Sequence, residues 1–170
     1  DGYLELARAT SVQDVRQALR WLPTTFNSTI AADRAGEVLY VDSSTVPDVD
    51  AALLDRCKPS AAAAALRAGA GLVVLDGSRA DCQWRQDALS ARPGLIPLER
   101  LPQVQRQDWV QNANDSHVFT HPAVRLEGLS PLHGDDRIRS VRTGAALVQI
   151  PELVARGPVT LQGIQQQLFA

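Results

Sequence analysis

Val12, Val15, Leu19 and Leu22 recur at helical spacing with polar residues between them, which predicts one amphipathic helix. Ser11 ahead of Asp14 supplies a capping-box start and Pro23 a stop, so this helix is placed over 12–22. The period then shortens. Segments 26–32 and 37–42 read as strands, and Asp33-Arg34-Ala35-Gly36 makes the hairpin between them, with Gly36 suited to a left-handed position. Val46-Pro47 leads out of the sheet. Two more helices are predicted over 49–56 and over the alanine-rich 60–68, with Gly69 and Gly71 breaking the latter before a Leu72-Val73-Val74-Leu75 strand that ends at Asp76. Prolines at 93, 97 and 102 make 90–102 an ordered surface loop. Trp109-Val110-Gln111 reads as a strand and Val118-Phe119 as a further extended piece. A last helix is expected over 160–169, with Leu161, Ile164 and Leu168 on one face. Hairpins interspersed with helices argue for an α+β fold over a doubly wound parallel sheet.

Composition narrows the function classes. A chain of 170 residues can bury one core. Its net charge of -2 and scattered arginines provide no basic stripe for phosphate contacts, so nucleic acid is not an expected partner. No apolar run approaches the roughly 18 residues that a bilayer span needs. The chain opens on Asp1-Gly2 and contains no methionine, so residues 1–170 are expected to be one internal segment of a longer or processed protein.

The candidate chemistry concentrates in three stretches. They are Trp109-Val110-Gln111-Asn112-Ala113-Asn114-Asp115-Ser116, then Leu126-Glu127-Gly128-Leu129-Ser130-Pro131, then Ser140-Val141-Arg142-Thr143. An asparagine amide can donate hydrogen bonds to a developing oxyanion, and an arginine can hold a carboxylate or carbonyl. Such equipment suits amide cleavage. By residue type alone, however, an asparagine at a strand-to-turn junction is ordinarily a turn former, and an arginine ahead of a threonine is ordinarily solvated.

The same stretches resemble the central β-chain segment of the penicillin acylase family of N-terminal nucleophile hydrolases. Within that family they resemble the acyl-homoserine-lactone and aculeacin-type lipopeptide acylases. Two upstream segments agree in order: Thr29-Ile30-Ala31-Ala32-Asp33-Arg34-Ala35-Gly36 through Tyr40 and Val46-Pro47, and Val74-Leu75-Asp76-Gly77-Ser78-Arg79 followed by Cys82 and Trp84. The resemblance implies a fragment of the four-layer αββα sandwich. It also implies a precursor cut into two chains, so that the α chain and the rest of the β chain are expected partners. The product would be periplasmic or secreted.

The implied reaction is hydrolysis of the amide of an N-acyl small molecule by an N-terminal serine whose own α-amine is the base. Acyl-homoserine lactones or lipopeptides are the expected substrates, with penicillin-type β-lactams second. The family's oxyanion asparagine corresponds to Asn114 and its active-site arginine to Arg142. Phe26 corresponds to an aromatic position beside the acyl chain, although a core phenylalanine needs no such role. Asn112 and Asp115 are expected to brace the loop, with Asp115 able to orient Arg142. The nucleophile is absent, since Ser78 and Ser130 sit in no nucleophile elbow, and the segment alone is expected to be inactive. No cofactor is implied for it; calcium occurs in some members of the wider family, and this segment does not specify its ligands.

Cys57 and Cys82 would pair as a disulfide in an exported protein, and two buried thiols are the alternative. Two other function classes remain open. A non-catalytic acyl-binding module would lack a serine exposed by self-cleavage. A zinc domain would use His117, His121, His133, Asp135 and Asp136. Against zinc, Pro122 and the β-prone Val118-Phe119-Thr120 deny His117 and His121 a shared helical face, and no metal ligand is assigned.

Overall fold

The computed structural model describes residues 2–22, 27–58, 60–134 and 138–168. Its centre is a three-stranded antiparallel sheet of β1 (Ser28–Ala32), β2 (Val38–Asp42) and β3 (Gln103–Arg106), in the order β1-β2-β3. Tyr40 lies at the middle of the register, opposite Ile30 on one side and Val104 on the other. The hairpin at 33–36 forms as expected. Asp33 Oδ1 accepts from the Ala35 and Glu37 amides at 2.9 and 3.1 Å, and Gly36 takes φ of +85°. Asp33 Oδ2 also accepts from the Val12 amide at 3.1 Å, tying the start of the preceding helix to the turn.

Helices α1 (Gly2–Arg8) and α2 (Val12–Leu19) lead into this sheet. Ser11 and Asp14 form a complete capping box on α2, which ends at Leu19 rather than 22. Pro23 and Phe26 lie outside the described residues. Val12 and Leu19 pack on Leu39 and Val41 of β2, and Ile96, Leu98 and Leu101 complete that core. The expected surface loop over 90–102 is therefore a core element. It carries a 3-10 turn at Leu98–Arg100, and Pro97 and Pro102 are fully buried. Proline has no N–H, so burying it leaves no backbone donor to satisfy.

A second cluster gathers Val49, Leu53, Leu54, Cys57 and Cys82, with Leu75 and Leu132 against it. Asp50 caps α3 (Ala51–Arg56) through its side chain. Cys57 and Cys82 are joined as a disulfide with Cα atoms 5.6 Å apart. Helix α4 (Ala61–Ala70) starts at a Ser60 cap and runs through Gly69, ending at Gly71 with φ of +67°. Residues 72–76 form no strand, because no described neighbour pairs with them. They are tied by the Leu72 amide to the Leu66 carbonyl at 3.4 Å and the Asp76 amide to the Cys57 carbonyl at 2.8 Å.

Beyond β3 the sequence reading is corrected twice more. Residues 109–111 are irregular, and the Gln111 amide bonds the Thr120 carbonyl at 3.0 Å instead of a sheet partner. Residues 118–119 belong to a 3-10 turn, His117–Phe119, started by Ser116. Two helices close the chain, α5 (Val141–Ala155) and α6 (Leu161–Leu168). Helices α1 and α5 were not expected from the periodicity. The whole is an α+β arrangement, and among the described residues no helix is long and apolar enough to cross a membrane.

The connection between sheet and second cluster is pinned by a buried carboxylate. Asp48 accepts from Arg85 Nη2 at 2.6 Å and Nε at 3.2 Å through one oxygen, and from Arg100 through the other. Arg85 also reaches Asp50 at 3.1 Å. One buried acid thereby organises the start of the second cluster and the proline-rich core loop.

Candidate functional site

The loop after β3 folds on its own polar side chains. Asn112 Oδ1 accepts from the Asn114 amide at 2.9 Å, and Asn112 Nδ2 donates to the Asp115 carbonyl at 3.1 Å. This side-chain turn carries Asn114 into the left-handed region with φ of +74°, the one non-glycine residue there among the described residues. Asparagine tolerates that region better than most L-residues because its short amide bonds locally.

The partner element is the first turn of α5. Ser140 caps it, its hydroxyl accepting from the Thr143 amide at 3.2 Å. Asp115 Oδ2 accepts from the Ser140 amide at 2.6 Å. The Thr143 hydroxyl chiefly, and then the Ser140 N–H, hold the Asp115 carboxyl below the usual carboxylate range, with Arg142 adding a smaller charge effect. Thr143 is fully buried.

Arg142, one residue before Thr143, returns over the loop. Its Nη2 donates to the Ala113 carbonyl and to Asn114 Oδ1, each at 2.9 Å. A guanidinium has donors only, so the atom that faces it must be the amide oxygen. The Nδ2 donors of Asn114 therefore lie on the other branch of a fixed amide. Sequence reasoning placed Asn114 and Arg142 as candidates, and the fold brings them into direct contact. Asp115 does not orient Arg142 by an ion pair, since none joins them among the described residues; it holds the backbone of the helix start instead. Ser140 and Thr143 belong to the third candidate stretch of the sequence, which assigns them no role of their own. A serine just before a helical run is an N-cap signal that could have located Ser140.

The histidines form a separate patch. His121 is buried, stacks on Trp109 with ring centroids 4.2 Å apart, and sets Nε2 3.4 Å from Asp108 Oδ2. Burial first, and then Arg106, keep its pKa below the ordinary histidine value, opposed by Asp108. His117 and His133 meet edge to face at 6.4 Å. Among the described residues no three His, Cys, Asp or Glu side chains converge as a metal site; Asp135 and Asp136 lie outside them. An open cleft of about 700 Å³ adjoins this patch, lined by Val118, Thr120, His121, Val124, Leu126 and Leu129. Neither Asn114 nor Arg142 lines it.

The serines weighed as nucleophiles are committed to the fold. Ser78 Oγ donates to Asp76 Oδ1 at 2.6 Å, and Ser130 Oγ donates to the Val49 carbonyl at 2.9 Å. Phe26, assigned to substrate on the resemblance, lies outside the described residues.

The penicillin amidase family model matches residues 1–167. The chain is 38% identical over 154 residues to the acyl-homoserine lactone acylase PvdQ of Pseudomonas syringae pv. syringae, covering 90% of the chain and 18% of that protein. It is 44% identical over 116 residues to the protein of the same name from Pseudomonas putida, covering 68% of the chain and 14% of the relative. Aculeacin-A acylase of Actinoplanes utahensis is 42% identical over 159 residues, 91% of the chain and 20% of the relative. The chain thus spans about one fifth or less of the length of these relatives. With nearly all of its length matched, this chain belongs to the penicillin amidase family.

Proposed function

We propose that this chain is part of an exported acylase that hydrolyses the N-acyl amide of acyl-homoserine lactones or lipopeptides. The names of its relatives, an acyl-homoserine lactone acylase and an aculeacin-A acylase, support that substrate class. In this reading a serine at the start of a processed chain, outside the present residues, attacks the amide carbonyl. Its α-amine, with a pKa near 8, takes the proton without a histidine partner. Asn114 Nδ2 and a backbone N–H from elsewhere in the protein stabilise the oxyanion of the tetrahedral intermediate. Arg142 keeps the amide turned so that its donors face that oxygen. The sheet β1-β2-β3 would then form part of the family's four-layer sandwich. No step is assigned to calcium.

The observation that carries this reading is the Arg142 bond to Asn114 Oδ1. It spends the acceptor of the amide and leaves the donor, which is the polarity an oxyanion requires. The test is to express the full gene product, sequence the N-termini of its chains and incubate it with a long-chain N-acyl-homoserine lactone. Release of fatty acid and intact homoserine lactone by a chain that begins with serine is expected. A single unprocessed chain with no acid released would refute the proposal.

A further inference from the structure

We propose that Asp115 is a positioning residue that sets the Arg142–Asn114 pair by clamping the start of α5 to the asparagine loop; this rests on the acylase reading above. The loop and the helix are distant in sequence, and Asp115 bonds the Ser140 amide across 25 positions. Arg142 cannot set that distance itself. It is exposed, and a long guanidinium side chain gives up rotamer freedom to hold a single pose. Asp115 has a short side chain, and its Oδ2 accepts from the Ser140 backbone N–H at 2.6 Å. That amide belongs to the N-cap of α5, so the carboxylate fixes backbone position and meets the positive end of the helix dipole.

The clamp joins two elements. On the helix side, fully buried Thr143 seats the first turn of α5. On the loop side, Asn112 Nδ2 closes onto the Asp115 carbonyl, while Asn112 Oδ1 holds the Asn114 amide. Asp115 thus joins the turn that gives Asn114 its left-handed backbone to the helix that carries Arg142. Loss of the carboxylate would let α5 shift while leaving both functional side chains intact. Displacements of about 1 Å in such constellations cost on the order of 100-fold in rate.

The test uses the full processed enzyme with Asp115→Ala, Asp115→Asn and Asn114→Ala, alone and combined, on a long-chain N-acyl-homoserine lactone. Asp115→Ala is expected to lower kcat roughly 10- to 100-fold with KM within about threefold. Asp115→Asn keeps an acceptor for the Ser140 amide and should lose only about three- to tenfold. In the Asn114→Ala background either change should cost nothing further, because the group being positioned is gone. A merely structural role would give the same fractional loss in both backgrounds, and that result would overturn the proposal, as would an unchanged kcat. If Asp115→Ala fails to process, the cycle is run with Asp115→Asn. Full activity of Asn114→Ala alone would instead sink the underlying site assignment, which separates the two failures.

Discussion

Replacing Asn114 by glycine and, separately, by alanine divides its chemistry from its backbone. Both changes remove the amide and its 2.9 Å bond from Arg142, so that loss is common to the pair. They differ at φ of +74°. Alanine in the left-handed region costs roughly 1–2 kcal/mol, while glycine adopts it freely and loses about 0.5–1 kcal/mol through the flexibility of the unfolded chain. The glycine variant should therefore be the more stable by about 0.5–1 kcal/mol. If the amide donates to the oxyanion, kcat should fall by about 10²–10³ in both, equivalent to about 2.7–4 kcal/mol of transition-state stabilisation. A stability difference near 1 kcal/mol leaves a protein with a margin of roughly 5–15 kcal/mol almost fully folded, so it cannot produce such a loss of rate. Urea denaturation midpoints and saturating initial rates on a long-chain N-acyl-homoserine lactone give the two quantities. Asn114→Gly retaining more than a tenth of wild-type kcat would refute the oxyanion role. Loss confined to Asn114→Ala would show that the turn, not the amide, is what matters.

Asp48→Asn keeps the shape but removes the charge facing Arg85 and Arg100. With those guanidinium side chains 43% and 40% exposed, the expected loss is about 2 kcal/mol, read from the urea midpoint, and a change under about 0.5 kcal/mol would contradict the pinning role. Converting Cys57 and Cys82 together to serine opens a loop with a sequence separation of 25, for which chain entropy predicts about 3–4 kcal/mol of lost stability. A melting temperature insensitive to the change would contradict this. Burial first, and then His117, hold the His133 pKa below its ordinary value against the opposing pull of Asp42. The unfolded state then binds the extra proton more readily, so the stability contribution is complete above about pH 6.5 and is lost as pH falls from there toward the folded value. His133→Gln should flatten that part of the thermal-stability profile between pH 5 and 7.5, and an unchanged slope would exclude His133 as its source.

The elements legible in the sequence were those whose signals are local. The Ser11–Asp14 capping box and the Asp33–Gly36 turn are closed by neighbouring side chains, and both form as read. Tertiary partners decided the rest. Strand β3 has only Val104 buried between polar residues and exists because β2 offers an edge, whereas the more apolar 109–111 finds no sheet partner among the described residues. The proline-rich 90–102 resembles a surface loop until the second side of the core needs Ile96, Leu98 and Leu101. Helix α5 carries Pro151 in its interior, a residue that ordinarily marks a helix end. At the candidate site the identities of Asn114 and Arg142 were visible through resemblance. Their contact, and the part Asp115 and Thr143 take in it, depend on two segments that only the fold brings together.

The cross-link between Cys57 and Cys82 also bears on how this protein can change. Cα atoms held 5.6 Å apart make the intervening chain an excursion with a covalently fixed exit and return. Within it α4 buries only Ala63, and Leu72, Val73 and Val74 face outward on this chain. Additions or deletions inside such an excursion need not propagate past its neck, because the covalent bond fixes where the chain leaves and returns. The disulfide thus acts as a mutational firebreak, letting this lobe diverge in length or accept a grafted peptide while the sheet and the Asn114 loop stay put.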